Sequence, residues 1–317
     1  MPRSLAIEIL DAIVTSYRNG RGHDHDSDDD DGPTEVREFE VRNFERLEIA
    51  GPFDVEVRIG AAASVQGRGS EEALDAVSVE QDGDSLFIGC DGDCDGDVSM
   101  TVTVPQLSAL RVSGSGDVSI DRVEGEEFMS ASSGSGDLAI DELDVRSVKL
   151  SAAGSGDVAI DKLRGTELEA SLMGSGDLSV DALECAEFKL SMNGSGDARI
   201  EEYSGDRLEA LLSGSGDLNV ETIEARSVKF ALFGSGDVYV GGGEATEATL
   251  ETAGSGDISS ESLTAAEVKV SVCGSGDVSA CATDRAEIAV MGSGDVSVTG
   301  GAKCTVRGSG SGEVHCS

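Results

Sequence analysis

The sequence predicts an all-β fold, a parallel β-solenoid (β-helix) of about eleven coils of roughly twenty residues. Three observations carry this. GSGD begins at Gly114 and returns every 20 residues as far as Gly274, with later copies at Gly292 and, as GSGE, at Gly310. Between copies, apolar and polar residues alternate over short runs, the period of a strand with one buried face. Composition supplies 42 Gly, 3% aromatics and no Trp, too little bulk for a large globular core. A solenoid needs none, because each coil seals a thin aliphatic stripe against its neighbours.

Residues 1–19 contain Leu5, Ile9, Ile13 and Tyr17, the spacing of a short amphipathic helix. Glu8 and Asp11 break the apolar stretch and no small-x-small cleavage site follows, so a signal peptide is not expected there. Residues 20–34, GRGHDHDSDDDDGPT, read as a disordered acidic linker. His23 and His25 among its aspartates suggest divalent-metal chelation, against which stands the plain reading of a solvated tether. No apolar run is long enough to span a membrane.

Residues 35–110 hold the strand-like runs EVREFEV, RLEIAG, FDVEVRIG and DSLFIG, separated by turn signals at Gly51-Pro52 and Asp82-Gly83-Asp84. This part is expected to begin the sheet and cap one end of the stack. A degenerate copy, Gly96 to Met100, precedes the repeat and matches Gly116 to Ile120 twenty positions on.

Residues 111–317 form the repeat. In the coil GSGDVAIDKLRGTELEASLM, starting at Gly154, the inward set is Val158, Ile160 and Leu163, then, past a turn at Arg164-Gly165, Leu168, Ala170 and Leu172. Both glycines of GSGD are expected to supply positive-φ turns and to let corners stack without colliding Cβ atoms, and the Asp to accept N–H groups within its own turn. Lys149, Lys189, Lys229 and Lys269 occupy one strand position in alternate coils, with Glu169, Glu209 and Thr249 between them. A coil of twenty residues places opposite charges side by side, at roughly 0.2–1 kcal/mol per pair, whereas forty would stack Lys on Lys. Gly125, Gly165 and Gly205 occur only in the intervening coils, as if a two-coil unit had been duplicated. The array would be a rod roughly 50 Å long. Its carboxyl-terminal edge is a candidate for self-association by strand pairing.

The candidate chemistry lies in one column: Asp117, Asp137, Asp157, Asp177, Asp197, Asp217, Asp237, Asp257, Asp277 and Asp295. Carboxylates one strand spacing apart repel by roughly 0.9 kcal/mol in water and about 3.5 at an effective dielectric of 20. The ladder must be solvated, hydrogen-bonded to backbone, or neutralised by a cation such as calcium. Calcium-binding β-rolls use a nine-residue repeat with more such turns, so no cofactor is expected and calcium is the alternative. A second column, Asp121, Asp141, Asp161, Asp181, Glu201, Glu221 and Glu261, reads as a solvated face.

Net charge of −39 disfavours nucleic acid and anionic membrane surfaces as partners and suits cationic ones. Catalytic residues are not expected: the three His lie in the tail segments, loops vary little, and no acid pair is singled out among so many carboxylates. Seven Cys fit small apolar filler or occasional disulfides; Cys90 and Cys94 are close enough to pair or share a metal, but no second pair follows.

The order FERLEIAGPFDVEVRIG (Phe44–Gly60), DGDSLFIG (Asp82–Gly89), then VPQLSALRVSGSGDVSI (Val104–Ile120) resembles the bacterial head GIN domain family, known as "putative auto-transporter adhesins". The resemblance covers Glu35 to the carboxyl end and implies a right-handed β-solenoid placed in the cell envelope or outside the cell. It carries over no catalytic residues. The expected function is a non-enzymatic surface or adhesion-like module with an extracellular polymer or protein partner. The alternatives are a carbohydrate-active β-helix lyase or hydrolase, which needs a deep groove with three acids and an arginine, and a calcium-stabilised β-roll. The missing signal peptide leaves a cytoplasmic location open.

Overall fold

The computed structural model describes residues 34–90 and 98–317. The helix expected over 1–19, the linker with His23 and His25, Cys94 and the corner at Gly96 and Asp97 lie outside the described residues.

The amino-terminal part contributes β1 (Glu35–Phe39), β2 (Arg46–Gly51), β3 (Asp54–Ile59), β4 (Ser64–Gly69), the short helix α1 (Glu71–Asp75), β5 (Val77–Asp82), β6 (Ser85–Cys90), β7 (Ser99–Val104) and β8 (Ala109–Gly114). The repeat follows as β9 (Val118–Gly134), β10 (Leu138–Ala152), β11 (Val158–Leu172), β12 (Leu178–Met192), β13 (Ala198–Leu212) and β14 (Leu218–Leu232). It continues as β15 (Val238–Val240), β16 (Gly243–Thr252), β17 (Ile258–Val272), β18 (Val278–Val290), β19 (Val296–Thr299), β20 (Lys303–Gly308) and β21 (Val314–Cys316). All join one sheet wound into about ten turns of a β-solenoid.

Register fixes the coil at twenty residues. Val158 lies beside Leu138 and Leu178, Leu168 beside Val148 and Phe188, and Glu169 beside Lys149 and Lys189. The inward residues Val158, Ile160, Leu163, Leu168, Ala170 and Leu172 are all buried. One strand, Val158–Leu172, carries the coil from corner to corner. The turn expected at Arg164-Gly165 is therefore not a loop: Arg164 pairs with Asp144 and Glu184, and Gly165 with Cys185. The chain bends where two successive side chains face outward, as at Asp161 and Lys162, which breaks the alternation without breaking the ladder.

The odd-coil glycines have a packing reason. Gly165 and Gly205 occupy a position that Val145 and Cys185 fill in the even coils. A Cβ on Gly205 would meet the Tyr203 ring, at 2.9 Å from Cζ. Tyr203 is buried in the interior, and its hydroxyl donates to Arg207 O at 2.6 Å.

At the amino end the spatial order departs from chain order. β2 lies between β6 and β8, and β3 between β7 and β9, all parallel. The β2–β3 coil is thus inserted between the β6–β7 coil and the repeat. Gly51 stacks on Gly114, so Gly51-Pro52-Phe53-Asp54 is the first corner of the column. The degenerate copy ending at Met100 is consequently not the neighbour of Gly116 to Ile120: Met100 pairs with Val55, which in turn pairs with Val118. Antiparallel β1, β4 and β5 complete this end, β4 against β7 and β5 against β6. Ser70 caps α1 by accepting from Ala73 N, and Leu74 is fully buried beneath it. The expected amino-terminal cap is present.

At the other end β20 and β21 form the last described turn, and Cys304 and Cys316 join across it in a disulfide with Cα atoms 6.6 Å apart. Cys304 continues the column of Val268 and Ala286, and Cys316 that of Ala280 and Val298. These columns are buried in the coils beneath, so the covalent bond replaces apolar contact where the side chains become exposed.

Candidate functional site: the acidic ladder and the face beside it

Each GSGD corner sits directly on the one before. A Cβ on Gly196 would fall well inside contact distance of Gly176 O and 2.8 Å from Gly176 C; the same holds at Gly136, Gly216 and Gly276. Among the corner glycines only Gly114 and Gly134 have positive φ. The glycines are there for close stacking, and the expected left-handed turns are confined to the first two repeats.

The ten aspartates come together in one column. Their bonding differs from the expected turn-internal role. Asp177 N donates to Asp157 Oδ1 at 2.7 Å, Asp197 N to Asp177 Oδ1 at 2.7 Å, and Asp217 N to Asp197 Oδ1 at 2.8 Å. Each carboxylate accepts from the backbone of the next coil, and the chain of bonds runs unbroken from Asp54 to Glu313 N. In the same corners Ser195 N donates to Gly174 O and Ala198 N to Asp217 O. The ladder thus ties coil to coil by a charged acceptor in a place where two facing backbones already touch, so the bond is stronger than one between neutral groups.

This solves the electrostatic problem only in part. Burial raises the carboxyls of Asp137, Asp157, Asp197 and Asp217 above the ordinary value; the next coil's N–H opposes this, and adjacent aspartates add to it. Burial is the largest cause at all four.

Four residues along the chain from the ladder, past one small outward residue, runs the second acidic column. Its members are engaged locally: Asp121 accepts from Ile59 N at 3.1 Å, and Glu201 and Glu221 each approach Arg199 at 3.4 Å. On another face Lys189 reaches Glu167 and Glu187, and Lys229 reaches Glu209 and Glu251, each within 4 Å. These exposed pairs contribute little individually, on the order of 0–1 kcal/mol. Their value is in register, since they penalise a slip of one strand.

Among the described residues no group of three His, Cys, Asp or Glu is arranged to hold a metal. Surface grooves of about 690 Å³, near Glu38, Glu40 and Arg42, and 630 Å³, near Arg46, Glu48 and Glu169, each bring only two carboxylates together. Cys90 is disulfide-bonded, which removes it as a free thiolate ligand. Cys185 is buried and its thiol is pushed up to about 12, which makes it inert filler.

Two features were missed from sequence. Asp54 extends the ladder, signalled by the Gly-x-x-Asp spacing that Gly51 to Asp54 shares with GSGD. Between the two acidic columns the small outward residue, Ser or Ala in most coils, becomes Arg199, Asn219 and Tyr239 in three successive ones. Its signal was a local departure from the repeat.

No curated protein matches this sequence. Among solved structures the chain is similar to a "putative lipid binding protein" from Parabacteroides distasonis, at 19% identity and a TM-score of 0.42, over 90% of this chain and 97% of that one. It is also similar to a "putative adhesin" from Bacteroides fragilis, at 17% identity and a TM-score of 0.38, over 90% and 97%. A third, a "putative adhesin" from Parabacteroides merdae, has 16% identity and a TM-score of 0.39, over 90% and 97%. The family model described as "Putative auto-transporter adhesin, head GIN domain" matches residues 43–202 and 199–302. With most of the described solenoid inside those matches, the chain belongs to the head GIN domain family of "putative auto-transporter adhesins".

Proposed function

We propose that this chain is a non-enzymatic cell-envelope or surface module, a rod that offers long, regular faces to an extracellular polymer or protein partner. One observation carries the reading: coil after coil repeats the same outward residues in register, so the chain builds extended surfaces in place of a recessed site. A repeat of this kind suits many weak contacts along a partner. Disulfides at Cys90 and at Cys304–Cys316 fit an oxidising compartment. Family membership points the same way. The net charge of −39 favours partners that are neutral or cationic.

The test is protease accessibility of the full-length protein on intact cells, with thiol trapping at lysis. Surface cleavage with Cys304 and Cys316 oxidised supports the reading. A protein protected until lysis, with both thiols reduced, overturns it.

A further inference from the structure

In a repeat array the residue that recurs at a position reports what the fold requires, and a run of departures reports something else. Through the GSGD repeats, the outward position two residues after the aspartate is small in coil after coil: Ser119, Ala139, Ala159 and Ser179, then Ser259, Ser279 and Ser297. Between them Arg199, Asn219 and Tyr239 lie side by side, one strand apart. The interior does not call for Asn219 and Tyr239, because the inward residues beside them remain the usual Leu218 and Val238; only the Arg199 coil also departs inside, with Ala198 where its neighbours carry Val, Leu or Ile.

Their contacts are incomplete. Tyr239 is 49% exposed and its side chain makes no hydrogen bond or ring contact among the described residues; the side chain of interior Tyr203 makes both. Asn219 Oδ1 is shielded from solvent and has no hydrogen-bond partner. The second acidic column is also interrupted here. Gly241 stands where neighbouring coils carry Glu221 and Glu261, and the Glu221 carboxylate reaches over it, its Oε2 3.1 Å from where a Gly241 Cβ would stand. The result is an exposed aromatic ring with Asp237 just before it in the chain and the Glu221 carboxylate lying over Gly241 just beyond it.

The polar groups within a ligand's reach around the ring are mostly acceptors, the carboxylates of Asp237 and Glu221; the unmet Asn219 oxygen is turned away from solvent. Arg199 is the exception and is already shared between Glu201 and Glu221. A matching ligand must therefore be rich in hydroxyl or ammonium donors, must not be anionic, and must present a flat apolar face to the ring. A pyranose ring meets all three requirements, and an amino sugar adds a cation attracted to both the ring and the acids.

We propose that Arg199, Asn219 and Tyr239 form a glycan-binding site for a neutral or amino-sugar pyranose, stacked on Tyr239. This deepens the surface-module reading and rests on it for biological meaning, yet the two fail separately, since glycan binding is measured on the purified chain and surface exposure on cells.

The experiment is calorimetric titration with a β-1,4-linked glucosamine hexasaccharide, with cellohexaose, and with the anionic hexagalacturonate. Tyr239→Ser and Asn219→Ser place in these coils the residue their neighbours carry, so both variants should fold. Their thermal midpoints are measured alongside. Binding of either non-anionic probe that weakens by roughly tenfold or more in Tyr239→Ser, at an unchanged midpoint, supports the site. Binding retained in Tyr239→Ser, preference for the hexagalacturonate, or no binding of any probe at millimolar concentration overturns it.

Discussion

Replacing Gly196 by Ala adds one methyl group at a corner where two backbones touch. The new Cβ would stand 2.8 Å from Gly176 C and closer still to Gly176 O, with Ser175 C at 3.1 Å. These are backbone atoms and no rotamer relieves them, so the two coils must separate locally. Separation stretches the bonds the corner depends on, Asp197 N to Asp177 Oδ1 at 2.7 Å and Ser195 N to Gly174 O at 3.0 Å. A neutral bond lost is worth about 1 kcal/mol and one to a charged group about 2, so the expected loss is roughly 3 kcal/mol. Gly242 is the control: its added Cβ meets only Ser262 O, at 3.9 Å, and its φ is not positive. Gly242→Ala should be neutral, or stabilising by up to about 1 kcal/mol through the unfolded chain. Urea unfolding followed by far-ultraviolet circular dichroism compares the two. Equal midpoints for the two variants would refute the claim that stacking, rather than backbone conformation, demands these glycines.

The ladder makes its own prediction. Asp157→Ala leaves Asp177 N–H without its acceptor and should cost about 1–3 kcal/mol, whereas Asp157→Asn keeps an acceptor, removes a repulsive charge, and should unfold at the same urea concentration as the parent or higher. Asp137, Asp157, Asp197 and Asp217 have folded-state values above that of the unfolded chain, so the native state binds their protons more tightly. Their contribution is complete below the unfolded value of 3.8 and is lost as pH rises through the folded values. The urea midpoint at fixed ionic strength should therefore climb from pH 7 to pH 4; a fall over that range would contradict the sign. Reducing Cys304–Cys316 should free the last turn, with a loss of roughly 3 kcal/mol for a loop of this size. Hydrogen exchange should then quicken over 303–316 and stay unchanged around Phe188, because coils interact only with their neighbours.

Much of this architecture was legible in the sequence because it is local or periodic. The twenty-residue spacing, the inward set from Val158 to Leu172, and the Lys–Glu alternation at Lys149, Glu169 and Lys189 each follow from a repeat and strand alternation, and the register matches them. What escaped involves segments distant along the chain. Nothing near Val55 announces that β3 will sit between Met100 and Val118. The role of the corner aspartate was misplaced by one coil, since a Gly-Ser-Gly-Asp corner suits a turn-internal bond as well as one to the next turn, and only the stacking distance decides. Of the two reasons the sequence offers for the GSGD glycines, close stacking of corners holds along the column, as at Gly196, while positive φ is found only at Gly114 and Gly134. At the glycan-binding candidate the signal was present as three departures from a regular column, Arg199, Asn219 and Tyr239, but a departure gains meaning only after the column is known to face outward.

The central claim is that twenty residues of sequence advance the chain by one strand spacing. Spin labels placed in pairs on the exposed corner serines test it directly, with Ser135 as the fixed partner and Ser195, Ser235 and Ser275 in turn as the second, after replacement of Cys273 and Cys281 by Ala. Pulsed dipolar spectroscopy should return separations rising linearly, by about 4.8 Å for every coil between the labels. Separations that plateau, or that do not order with distance along the sequence, would contradict the stack.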